Sequence, residues 1–106
     1  MRRKITTLTL ALALCLALSG AALAHTPLCS CYAPGDGTVV CEGGFSDGSS
    51  AAGTAMKVLD AGGATILEGQ MDAHGEFVFD KPEGDYTVIF DAGEGHIITI
   101  QGKDIF

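Results

Sequence analysis

Residues 74–90 read HGEFVFDKPEGDYTVIF. Two short runs alternate within this stretch. Phe77 and Phe79 fall on one side of the first run, and Tyr86, Val88 and Phe90 on one side of the second. A loop bearing Pro82 and Gly84 separates them. Successive side chains of a strand point to opposite faces, so a period of two marks strands with one buried face. Neither run carries the i, i+3, i+4 spacing that an amphipathic helix needs.

The same alternation extends outward. Strand-like runs are expected at residues 28–32, 38–45, 54–59, 64–69, 76–79, 85–90 and 96–100, with Gly-, Asp- and Pro-bearing turns between them. No segment of useful length with helical period follows residue 24. Seven strands in about 80 residues is the count of a small Ig-like antiparallel β-sandwich, the all-β class expected here. The expected core is Val39, Phe45, Met56, Val58, Ile66, Phe77, Phe79, Tyr86, Val88, Phe90, Ile98 and Ile100. It has few large side chains and no Trp, so burial alone leaves the domain marginal.

The first 24 residues read differently. Arg2, Arg3 and Lys4 precede the apolar run LTLALALCLAL, and Ala22-Leu23-Ala24 has the small-residue form of a cleavage site. Residues 1–24 are therefore expected to be a secretory signal peptide, leaving residues 25–106 as one domain that does not insert in the membrane. Leu14, not a small residue, precedes Cys15, which argues against lipidation there. The expected location is the periplasm or the exterior. Removal of residues 1–24 leaves Lys57, Lys81 and Lys103 against thirteen acids, a net charge of −10. Such a chain lacks the clustered cations that nucleic acid requires.

Three cysteines remain: Cys29, Cys31 and Cys41. Disulfides are permitted in this compartment. Cys29 and Cys31 share a strand face, and a bridge between two such residues is strained. If the turn centres on Gly35 or Asp36, Cys41 falls opposite Cys29 or Cys31, and a cross-hairpin bridge follows. The alternative keeps all three thiols as ligands, with His25, for Cu or Zn. Cys29-Ser30-Cys31 lacks the C-x-x-C spacing and the βαβ context of a thiol oxidoreductase. No G-x-S-x-G, P-loop or paired catalytic carboxylates occur, so no enzyme is expected.

The stretches GGFSDGSSAAGTAMKVLDAGG (43–63), LEGQMDAHGEFVF (67–79) and PEGDYTVIF (82–90) resemble the carboxypeptidase regulatory-like domains. The resemblance implies a prealbumin-like sandwich and is nearly silent on function. DAGEGH (91–96), with a histidine directly after the signal peptide, is further similar to small periplasmic proteins associated with nickel and cobalt uptake transporters of the energy-coupling-factor type. That likeness implies a transition-metal ion, nickel or cobalt first, bound by His25 and His96. It also implies membrane subunits of a metal transporter as partners. The sequence departs from that group at Cys29, Cys31 and Cys41, where ordinary strand residues are expected; one of the three is a candidate third ligand.

The chemistry of the two histidines is compatible with this. An N-terminal histidine offers its α-amine and a ring nitrogen to one ion, and borderline cations prefer such donors. The amine, with a pKa of about 7.7–8.0, loses its proton to a metal near neutrality. Pro27 in third place excludes the square-planar motif that takes histidine there. His96 opens the last expected strand. If the first and last strands lie side by side in parallel, His25 and His96 share one end of the domain. His74, in the turn at 72–75, reads as a turn residue.

Overall fold

A computed structural model describes residues 25–106; the signal peptide expected at 1–24 lies outside the described residues. Seven strands form: β1 (Pro27–Tyr32), β2 (Thr38–Phe45), β3 (Ala55–Asp60), β4 (Thr65–Gln70), β5 (Glu76–Asp80), β6 (Tyr86–Asp91) and β7 (Ile97–Gln101). A short 3-10 helix, Gly102–Asp104, follows. Every pairing is antiparallel. One sheet has the order β1-β2-β5 and the other β4-β3-β6-β7, giving the expected all-β sandwich.

The inward faces follow the alternation. Tyr86, Val88 and Phe90 of β6 are buried, as are Val39 and Cys41 of β2, Met56 and Val58 of β3, and Phe79 of β5. Phe45, Phe77, Ile98 and Ile100 are partly buried against them. Two glycines are needed for this packing. A Cβ on Gly43 would stand 2.6 Å from Met71 Sδ and 2.7 Å from Phe90 Cε2, and one on Gly69 would stand 2.6 Å from the Phe77 ring. Large side chains of one sheet thus sit over bare backbone of the other.

Ile66 departs from the expected core. It is 50 % exposed. It lies on β4, the outer strand of the four-stranded sheet, and three strands cannot cover four. Alternation identifies the two faces of a strand but not whether a second sheet reaches over either. Conversely, Ala51, Met71 and Ile105 are buried although all lie outside strands. They close the open ends of the sandwich.

The turns use the acids. Asp36, Asp47, Asp60, Asp72 and Asp91 each accept, at Oδ1, the backbone N–H two residues on, over 2.8–3.0 Å. This is the Asx-turn, in which the carboxylate does the work of a backbone carbonyl. The Thr38 hydroxyl beside Asp36, the Ser49 hydroxyl beside Asp47 and the Glu76 N–H beside Asp72 hold these carboxyls below the usual range. Their contribution to stability is present above the ordinary carboxylate pKa and is lost as pH falls through the depressed values.

β1 and β7 are the outer strands of different sheets and are not paired with each other. They nonetheless pack side by side. The Ala33 N–H, just after β1, donates to the Phe106 carbonyl at 2.9 Å, so the C-terminal ends of β1 and β7 lie together. Their N-terminal ends, preceded by His25 and His96, fall at the opposite pole.

Candidate metal centre

The register places all three histidines at one pole. Pro27 pairs with Phe45, Glu42 with Glu76, Ala55 with both Gln70 and Asp91, and Asp91 with Ile97. The start of β1, the β2–β3 loop, the β4–β5 turn and the β6–β7 turn therefore meet at this end. His25 precedes β1, His74 lies in the β4–β5 turn and His96 in the β6–β7 turn.

His25 is fixed by an extension of the β1–β2 ladder. The Thr26 N–H donates to Ser46 Oγ at 3.0 Å, and the Ser46 N–H donates to the Thr26 carbonyl at 2.9 Å. This strap sets His25 beside Asp47, with Nδ1 2.8 Å from Oδ2. The other carboxylate oxygen, Oδ1, accepts both the N–H (2.9 Å) and the hydroxyl (2.6 Å) of Ser49. These bonds, with the charge of His25 in a lesser role, hold the Asp47 carboxyl below its usual range. Asp47 was not among the residues singled out from the sequence. Its signal was Asp47-Gly48-Ser49, legible as a turn, but its nearness to His25 required the strand register.

His96 has a different environment. Its Nδ1 lies 3.2 Å from the Glu94 carbonyl within its own turn. Gly95, at φ 78°, supplies the left-handed residue that turn needs. Among the described residues, no group of three or more His, Cys, Asp or Glu side chains is arranged to hold a metal ion. The two histidines share a pole without sharing a ready-made cage.

The cysteines correct the three-thiol ligand set. Cys31 and Cys41 are direct cross-strand partners and form a disulfide. A disulfide sulfur carries no thiolate charge, so in this state neither Cys31 nor Cys41 is available as a metal ligand. The choice between Cys29 and Cys31 was made by the turn. Asp36, not Gly35, is its centre, and its carboxylate caps Thr38 at the start of β2. Cys29 is thereby opposite Gly43 and remains a free thiol.

Cys29 is half-buried, and burial pushes its thiol up to about 11. It is therefore protonated at neutral pH and a poor nucleophile. Iodoacetamide at pH 7.5 is expected to modify Cys29 about a hundredfold more slowly in the folded protein than in urea, as a two-unit rise in pKa implies. Alkylation should accelerate as pH climbs from 9 to 11. Comparable rates, followed by mass, would contradict this burial. The folded thiol keeps a proton that the unfolded thiol releases, so its contribution to stability is full below pH 9 and lost through about 11.

His74 is a turn residue, its backbone N–H donating to Asp72 Oδ1 at 2.8 Å. Together with Leu28, Glu42, Phe45, Ser50 and Ala51 it lines an open groove of about 610 Å³ at the histidine pole. Comparison with known proteins finds no matching family model, no matching curated protein and no matching solved structure.

Proposed function

We propose that this chain is a periplasmic, non-catalytic β-sandwich that binds a transition-metal ion, nickel or cobalt first, and serves a metal-uptake system whose membrane subunits are its partners. The observation that carries this reading is His25. It directly follows the A-x-A pattern, and its imidazole is held against a carboxylate by the fold. His96, at the same pole, is the second proposed ligand. The surplus of acids favours the approach of cations over anions.

Calorimetric titration of the chain beginning at His25 with nickel, cobalt, copper and zinc tests this. We expect one ion per chain, and at least about a tenfold loss of affinity on His25→Ala, the scale seen when a metal site loses one supporting group. Unchanged affinity in the His25→Ala, His96→Ala double variant would refute the site.

A second reading, a disulfide-stapled interaction module without metal, is favoured by one observation. Ile66 and Leu67 of β4 and Val78 of β5 are exposed along a groove of about 560 Å³ between the outer strands of the two sheets. Open outer strands with apolar side chains are places where partner chains add. Under this reading none of the four ions binds.

A further inference from the structure

We infer that, once residues 1–24 are removed, Asp47 completes an N-terminal chelate: the α-amine and Nδ1 of His25 and Oδ2 of Asp47 form three donors to one borderline divalent cation. This rests on the metal-binding reading and names a ligand that reading does not contain.

Three features of the pole lead to it. The first is the identity of the nitrogen. An α-amine and its own imidazole close an unstrained six-membered ring through Nδ1; Nε2 points away. The nitrogen that Asp47 contacts is Nδ1. The amine chelate and the carboxylate therefore converge on the same side of the ring.

The second is the preparation of the carboxylate. Ser49 engages Oδ1 twice, through its N–H and its hydroxyl, while Oδ2 is turned to His25. Outer partners of this kind fix the orientation of ligating carboxylates in metal sites.

The third is the spacing. Donors about 2.1 Å from a metal and at right angles to each other lie about 3.0 Å apart, whereas tetrahedral donors lie about 3.4 Å apart. The Nδ1–Oδ2 separation is 2.8 Å. That is the length of a direct N–H···O hydrogen bond, so the two donors stand close enough to take one ion once they part slightly, to about 3.0 or about 3.4 Å according to its geometry. An ion entering here displaces the His25–Asp47 contact and leaves the Thr26–Ser46 strap intact.

The test is a nickel titration by calorimetry on three forms of the domain, whose core lies wholly within residues 25–106. The forms are the chain beginning at His25, verified by intact mass; the same chain with Asp47→Asn; and the chain beginning at Ala24. Asparagine retains an oxygen for Ser49, so the turn is preserved, and an unchanged thermal midpoint without metal verifies this. We expect Asp47→Asn to weaken nickel binding at least about tenfold, and retention of Ala24 to weaken it at least about a hundredfold. Equal affinity in Asp47→Asn, or in the Ala24 form, overturns the chelate while leaving a metal protein. Failure of the His25 form to bind nickel overturns both the chelate and the reading beneath it.

Discussion

Replacing Cys31 and Cys41 together by alanine is expected to destabilise the domain by about 3 kcal/mol. The bridge closes a loop with a sequence separation of 10. In the chain-entropy picture, a loop of that size removes about 3 kcal/mol of freedom from the unfolded chain. Each kcal/mol moves the midpoint of a domain this small by about 4–8 °C, so thermal unfolding should fall by about 12–24 °C. A further loss is built into the site. Cys41 is completely buried on the central strand of its sheet, and alanine there leaves a small void. Reduction of the unmutated protein should reproduce most of the shift, and Cys29→Ser should reproduce little of it. A double variant melting within about 3 °C of the parent would show that the bridge constrains nothing the fold does not already hold.

The second large effect is expected at Phe90. Phe90→Ala should cost about 3–5 kcal/mol, the range for truncating a buried aromatic side chain. Phe90 has no exposed surface and lies on β6 between Met56 of β3 and Ile98 of β7. Its ring stands 6.3 Å from that of Phe45 in the facing sheet and occupies the space left by Gly43. Neither Gly43 nor the strand beneath it can move in to fill the hole, because the Gly43 N–H is bonded to the Gly75 carbonyl at 2.8 Å. Domains of this length are stable by only about 4–12 kcal/mol, so a large part of the total is at stake. Ile66→Ala, by contrast, should change stability by less than about 1 kcal/mol, because half of that side chain is already in water. Urea denaturation of both variants measures the contrast. Equal losses would mean that β4 is covered as deeply as β6.

These two residues also show how far the chain could be read before it was folded. Phe90 and Ile66 have the same signature, a large apolar side chain within an expected strand. Only one belongs to the core. β6 has a strand on either side and a sheet above it, whereas β4 is an outer strand. Periodicity is a property of one strand; cover is a property of its neighbours. Met71 and Ile105 illustrate the converse, since both are buried from positions with no periodic pattern around them.

The candidate site divides in the same way. His25 was legible because a cleavage pattern and a metal-binding side chain are both local signals. Asp47 was hidden because it lies twenty-two positions away and reaches His25 only through the β1–β2 register. The cysteine pairing fell between these cases. Alternation made a bridge between Cys29 and Cys31 strained and left two partners for Cys41. A single residue of turn register then decided, through the Asp36 cap.

Local chemistry thus determined the strands, the turns and their Asp residues, and the histidine expected at the N-terminus. All of these depend on side chains and dihedral preferences within a few positions of each other. The tertiary structure alone decided which outer strand lies uncovered, which cysteine stays free and which carboxylate faces His25. Those outcomes depend on how strands far apart in the chain come into register, and a shift of one residue in a β-pairing turns every side chain to the other face.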